Sequence, residues 1–248
     1  MSLVVAFRLL TILPVWGWRD ATSREYGAAV GWYPVVGYVL GGVIALLDLG
    51  ARRALLPPEV TAWLLIAVLA VLTGFLHLDG VIDTWDAAFA HRSPAERLVI
   101  ARDPRAGAFG VVGIVVLLGL KAALLTSPLG EWGGQRAFVL WCVPALARAV
   151  MTAVIVLLPT ARGTEGFGAS VKQHARPHDL VLALTLALVP ALVLLRGEAV
   201  VLALGAVGGG GAMALFAVRQ LGGATGDVYG AACEWAEVGA LLAAAFYA

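Results

Sequence analysis

Charge is what this sequence has least of. Aspartate, glutamate, lysine and arginine together make up 13% of its 248 residues, roughly half of the ~25% usual in a soluble domain. Apolar residues make up 61%, and mean hydropathy is +0.91. Too few polar side chains remain to cover a water-facing surface, so composition excludes a soluble globular protein and requires an integral membrane protein. The length leaves no room for a sizeable soluble domain beside the membrane part, and residues 1–248 are read as one polytopic unit. Cysteine is scarce too. Cys142 and Cys233 both sit in apolar runs, which excludes a disulfide framework or a thiolate metal site and reads as core packing. A net charge of +1 identifies no charged partner, and nucleic acid is not expected; the lipid bilayer is. The start of the chain lacks a basic segment followed by a small-residue cleavage site, so no signal peptide is read. No internal repeat is visible.

What is present is a series of apolar runs. Ser2 to Leu13 is broken by Arg8 and stopped by Pro14, a length that suits an interfacial or re-entrant helix. Trp16, Trp18, Trp32 and Tyr33 follow, as an aromatic belt does. About seven transmembrane helices are expected, making the fold all-α: Ala28–Leu49, Thr61 into the aspartates near residue 80, Gly107–Leu125, Ala137–Leu158, Leu180–Leu195, Ala199–Val218 and Val228–Tyr247. Gly37 and Gly41 form a G-x-x-x-G pair for close helix packing, and Gly208 to Gly211 read as a packing face. With the N-terminus inside, eleven basic residues fall on the cytoplasmic side (Arg8, Arg19, Arg24, Arg92, Arg97, Arg102, Arg105, Arg162, Lys172, Arg176, Arg219). Four fall opposite (Arg52, Arg53, Arg136, Arg196), and Lys121 and Arg148 lie within spans. The positive-inside rule then sets a multi-pass protein of the cytoplasmic (inner) membrane, with its polar motifs facing the cytoplasm.

The richest of these motifs is G-F-L-H-L-D-G-V-I-D-T-W-D, Gly74 to Asp86. Asp79, Asp83 and Asp86 are spaced i, i+4, i+7 and share roughly 60° of a helix face. Three like charges at a membrane repel one another and lose hydration, so keeping them calls for a cation. Oxygen ligands of this kind suit Mg²⁺. Gly80 between them lets a bulky ligand approach the backbone. The plain alternative is a solvated helix end, which the neighbouring His77 and Trp85 argue against.

Two further segments carry chemistry. In R-L-V-I-A-R-D-P-R-A-G-A-F-G, Arg97 to Gly110, Arg102 and Arg105 flank Asp103 just before a helix start at Gly107. Arginine forks and helix N-terminal N–H groups bind phosphate; juxtamembrane lipid contact is the alternative. In G-G-A-T-G-D-V-Y-G-A-A-C-E-W-A-E, Gly222 to Glu237, Asp227 is a helix cap or a substrate contact. Glu234 and Glu237 are intramembrane carboxylates, functional by default. Arg148 answers those carboxylates, and Lys121 snorkels. His77 is a general base, a metal ligand or simply hydrogen-bonded packing. Clustered carboxylates, arginines and glycine-rich turns on one side describe metal-assisted phosphoryl or nucleotidyl chemistry on a large substrate.

Four segments in order, F-R-L-L-T-I-L-P-V (Phe7 to Val15), H-L-D-G-V-I-D-T-W-D (His77 to Asp86), R-D-P-R-A-G-A-F-G (Arg102 to Gly110) and T-G-D-V-Y-G-A (Thr225 to Ala231), resemble the cobalamin synthase family, the adenosylcobinamide-GDP ribazoletransferases. The resemblance runs nearly the full length. It departs at Arg102, where lysine is expected, and at Pro104, where serine is. It implies one polytopic catalytic domain of the late vitamin B12 pathway, dependent on Mg²⁺, that joins adenosylcobinamide-GDP to α-ribazole or its 5′-phosphate and releases GMP. By that resemblance, Asp79, Asp83 and Asp86 hold Mg²⁺ on the diphosphate and Arg102 and Arg105 neutralise the leaving phosphate. Asp83 or His77 accepts the hydroxyl proton, and Gly80, Asp103, Gly107, Arg148, Asp227, Glu234 and Glu237 contact substrate. Oligomeric state stays open, a homo-oligomer included.

Two rivals differ in their sequence demands. A CDP-alcohol phosphotransferase has D-G followed two residues later by A-R, where Asp83-Thr84 stands here. A transporter using Glu234, Glu237 and Arg148 as a pathway needs alternating access and often inverted repeats.

Overall fold

A computed structural model describes residues 1–15, 20–127, 135–161 and 166–247. Trp16, Trp18, Arg19, Arg162 and Glu165 lie outside the described residues. The described chain is all-helical apart from one isolated bridge between Thr160 and Ala224. Its helices are α1 (Ser2–Leu10), α2 (Ser23–Ala29), α3 (Tyr33–Arg53), α4 (Pro58–Leu72), α5 (Leu76–Phe89), α6 (Pro94–Ile100), α7 (Ala108–Thr126), α8 (Arg136–Leu157), α9 (Phe167–His174), α10 (Pro177–Leu195), α11 (Glu198–Leu221) and α12 (Gly226–Tyr247).

Five helical stretches are long and apolar enough to cross a membrane: α2 running on into α3, then α7, α8, α10 and α11. A sixth is added if α4 and α5, bent by 93° at the break between them, are taken as one. Seven were expected, and two departures account for the difference. The apolar run from Thr61 does not continue straight into the aspartates. Gly74 (φ 58°) and Phe75 (φ 60°) both turn left-handed, which ends α4 and sends α5 off at a steep angle. The last helix, α12, forms as expected, but Asp227, Glu234 and Glu237 lower its hydropathy. Expected as interfacial or re-entrant, α1 is nine residues long, too short to span, and packs on α2 and α3 through Val5, Ala6 and Leu10.

α8 is the hub. It packs on α3, α10, α11 and α12, and its residues from Cys142 to Thr152 are all buried. α12 sits beside it and touches α5, α7 and α11. Both cysteines are free and buried, one on each of these two helices. The G-x-x-x-G pair lies at the α3–α8 crossing: a Cβ on Gly37 would stand 2.5 Å from Ala145 Cα, and one on Gly41 would strike the Trp141 carbonyl. The Gly41→Ala variant should therefore lose about 1–3 kcal/mol of stability by overpacking. Gly50→Ala on the same helix, where nothing lies within 4 Å, should lose none. Thermal unfolding of the two variants in detergent checks this pair.

Polar ties gather at the two ends of the bundle. At one end Asp48 on α3, 3% exposed, accepts from Arg136 at 2.9–3.1 Å and from Arg52 at 3.1 Å. At the other, Ala161 N donates to Ala224 O at 3.0 Å, Ala224 N donates to Pro159 O at 2.7 Å, and Arg97 on α6 donates to Gln220 on α11. All four motif segments lie at this second end.

Candidate active site

The bend at Gly74 and Phe75 orients α5 so that its carboxylate row runs along the polar end of the bundle. Asp79, on the first turn, is exposed and lines a cleft of about 340 Å³. Three of the four segments meet in this cleft. Leu9 and Leu10 come from α1, Leu76, His77 and Asp79 from α5, and Thr225, Gly226, Asp227 and Tyr229 from the start of α12; residues 166–169 at the start of α9 close it. Thr225 Oγ1 accepts from Val228 N at 3.3 Å and donates to Asp227 Oδ2 at 3.1 Å. That arrangement caps α12 and holds the Asp227 carboxylate at the cleft.

Asp83 lies one turn beyond Asp79 and is half-buried. Between them Gly80 meets the backbone of α12: a Cβ there would stand 2.7 Å from Asp227 O. The missing side chain makes room for a helix, not for a ligand as expected. At the far end of the row, Asp86 caps α7. Its Oδ2 accepts from Gly107 N at 2.7 Å and its Oδ1 from Gly110 N at 2.8 Å. The loop after α5 folds back on α5, and the α7 N-terminal N–H groups of Gly107 and Gly110, expected to meet phosphate, are turned onto Asp86. In that loop Arg105 is 86% exposed and bidentate to Asp103, at 3.0 and 2.8 Å. The Arg105 side chain, and after it the Arg105 backbone N–H, hold the Asp103 carboxyl down at about 2. Arg102 is exposed beside them.

The charges inside the bundle form a separate group. Lys121 on α7 does not snorkel. It is 5% exposed and pairs with Glu237 at 2.7 Å and with Glu234. Arg148 on α8, fully buried, pairs with Glu237. One Arg148 nitrogen lies 3.5 Å from His77 Nδ1, and Glu234 lies 3.8 Å from the same atom. Two cations and two anions thus balance between α7, α8 and α12, with His77 of α5 against them. Arg148, Glu234 and Glu237 do not line the cleft; His77 does. The arrangement ties helices together where a transport reading needs an accessible pathway.

Sequence reasoning passed over Tyr33, Thr160, Thr225 and Tyr229, all of which line the cleft. The only signal for the last two was their place inside T-G-D-V-Y-G-A. Among the described residues, no three His, Cys, Asp or Glu side chains form a ready-made metal cage.

Fold and site define an α-helical membrane protein with a carboxylate-bearing cleft at one end of the bundle, assembled from separated, ordered motifs. The family model described as Cobalamin-5-phosphate synthase matches residues 2–245, and the chain belongs to that family. The adenosylcobinamide-GDP ribazoletransferase of Roseiflexus sp. is 37% identical over 246 residues, covering 95% of this chain and 86% of its own. The protein of the same name from Deinococcus radiodurans is 38% identical over 253 residues, covering 99% and 85%. That from Chlorobium phaeobacteroides is 36% identical over 247 residues, covering 96% and 94%. No solved structure matches.

Proposed function

We infer that this chain is a membrane-bound ribazoletransferase of cobalamin biosynthesis, joining adenosylcobinamide-GDP to α-ribazole or its 5′-phosphate with release of GMP. The observation that carries this is full-length family membership, reinforced by the convergence of three of its motifs on one cleft. The test is GMP release from adenosylcobinamide-GDP by the purified protein in detergent, dependent on added α-ribazole.

The residues present fit Mg²⁺ in a particular way. Mg²⁺ at phosphate sites is held by one or two carboxylates plus substrate oxygens and keeps several waters, so no complete protein cage is needed. Asp79 and Asp227, which both line the cleft, and Asp83, one turn along α5 from Asp79, are the carboxylates such a site would draw on; Asp86 accepts two backbone N–H groups of α7. Bound there, Mg²⁺ supplies charge neutralisation for the diphosphate. The row from Asp79 to Asp86 is ~10 Å long, enough to lie beside a diphosphate and lead toward the arginine loop. In this reading the ribose hydroxyl of the ribazole attacks the phosphorus next to the cobinamide, a new P–O bond forms, and the bond to the GMP phosphate breaks. The hydroxyl proton passes to a protein base, Asp83 or His77. Arg102 and Arg105 meet the charge developing on the departing GMP, with Asp103 orienting Arg105.

We also propose seven crossings, with the N-terminus in the cytoplasm and the cleft on that side. The bent pair α4–α5 supplies one crossing and α12 another; the Lys121 and Arg148 pairings offset the charges that lower α12's hydropathy. A reporter fused after Ala248 should read as extracytoplasmic; a cytoplasmic signal there removes one crossing.

A further inference from the structure

Two residues that line the cleft each carry a buried polar atom with no partner among the described residues. His77 Nε2 and Tyr229 Oη make no hydrogen bond among the described residues, and their side chains belong to residues 2% and 5% exposed. Buried donors and acceptors are costly to leave unmade, and such orphans point to a ligand.

Which of its two ring nitrogens carries the His77 proton follows from its neighbours. Lys121 and Arg148 already balance Glu234 and Glu237, so a protonated His77 would add an unanswered buried charge. Neutral imidazole has one donor and one acceptor nitrogen. Arginine can only donate, and Arg148 faces Nδ1 at 3.5 Å. The Glu234 carboxylate, which would favour the opposite tautomer, is further from Nδ1 at 3.8 Å, so the nearer Arg148 assigns Nδ1 as the acceptor and leaves the hydrogen on Nε2. The ring edge at Cδ2, next to Nε2, faces Gly230, itself part of the cleft wall.

We propose that His77 Nε2–H and Tyr229 O–H are the donor pair that seats the acceptor nucleoside, the ribazole, at the inner end of the cleft; this rests on the reaction inferred above. Size favours it. About 340 Å³ suits a nucleoside and is far too small for a corrin ring bearing a nucleotide. Leu10, Tyr33, Ile155 and Phe167 offer apolar and aromatic walls to a flat azole base. Such a base presents a bare ring nitrogen, and its ribose presents hydroxyl oxygens; both accept hydrogen bonds. The exposed Asp79 and half-buried Asp227 mark the outer end, where the ribose hydroxyl meets the diphosphate. His77, protonated on Nε2 and held by Arg148 on Nδ1, is then not the proton acceptor, which leaves that role to Asp83.

The test is equilibrium binding of α-ribazole alone to the purified protein in detergent, alongside steady-state KM values for both substrates. Tyr229→Phe and His77→Asn should each weaken ribazole binding by about tenfold, the effect of one lost hydrogen bond to a buried donor. The KM for ribazole should rise in step, and that for adenosylcobinamide-GDP should not move. His77→Gln, whose amide nitrogen reaches the Nε2 position, should recover most of the loss. Imidazole ¹⁵N resonances of the wild type should show the Nε2–H tautomer. Unchanged ribazole binding in both variants, a rise confined to the adenosylcobinamide-GDP KM, or an Nδ1–H tautomer would overturn the assignment. Wild-type protein that binds ribazole yet releases no GMP refutes the reaction and leaves this site standing; wild-type protein that turns over but is indifferent to Tyr229→Phe and His77→Asn does the reverse.

Discussion

Arg148→Met should cost this protein its fold, not only its activity. Arg148 is fully buried on the hub helix α8 and pairs with Glu237. Glu237 and Glu234 share Lys121 as their other cation. Methionine removes one positive charge and leaves two buried carboxylates facing one ammonium. Removing a single partner of a buried pair costs about 3–5 kcal/mol, a large share of the ~5–15 kcal/mol that holds a typical domain together. The variant should accumulate poorly and lose its monodisperse peak on size exclusion in detergent. The double variant Arg148→Met/Glu237→Gln restores charge balance, leaving Lys121 with Glu234 alone, and should recover much of that stability. Coupling of this sign is what a shared network requires. If Arg148→Met melts with the wild type, or the double variant is worse than the single one, the four charges are not holding the helices together.

Much of this arrangement was legible in the sequence, in proportion to how local each feature is. The i, i+4, i+7 spacing of Asp79, Asp83 and Asp86 fixes a common helix face whatever surrounds it. The Gly37–Gly41 pair announces a tight crossing because little besides glycine permits one. What those features meet is tertiary and does not show in spacing. Asp86 caps a helix whose Gly107 lies 21 residues on, and that approach exists only once the loop has folded back. Lys121 looked like a residue to snorkel because its partners are 113 and 116 residues away. The break at Gly74 and Phe75 was hidden because Phe75 adopts a left-handed conformation that its residue type disfavours. Tyr229 was passed over because an aromatic residue in an apolar run is the commonest thing a membrane helix contains. What marks it out is tertiary: its buried hydroxyl has no hydrogen-bond partner among the described residues, and Tyr229 lines the cleft.

The three aspartates of α5 should part company when each is replaced by asparagine. Asp79 and Asp83 stand on the part of the row that leads out of the cleft, and in the proposed reaction their charge would hold Mg²⁺ there. Asparagine keeps size and removes that charge. Metal-assisted charge stabilisation is worth several kcal/mol, and at 1.36 kcal/mol per tenfold the loss in turnover should be about a thousandfold for either variant, with a raised Mg²⁺ requirement where activity remains. Asp79→Asn should not melt early, because Asp79 is exposed and stands outside the buried quartet. Asp86→Asn should behave in the opposite way. Both of its oxygens accept backbone N–H groups of α7, and asparagine keeps one acceptor while losing the other along with the charge that favours a helix N-terminus. Its cost should fall on stability, about 1 kcal/mol, with the Mg²⁺ dependence of GMP release unchanged. Measuring GMP release against Mg²⁺ concentration beside a thermal melt separates the two cases. Full activity in both Asp79→Asn and Asp83→Asn removes the metal from this row altogether. An Asp86→Asn variant that melts with the wild type but needs far more Mg²⁺ returns Asp86 to the metal, and the cap on α7 is then incidental.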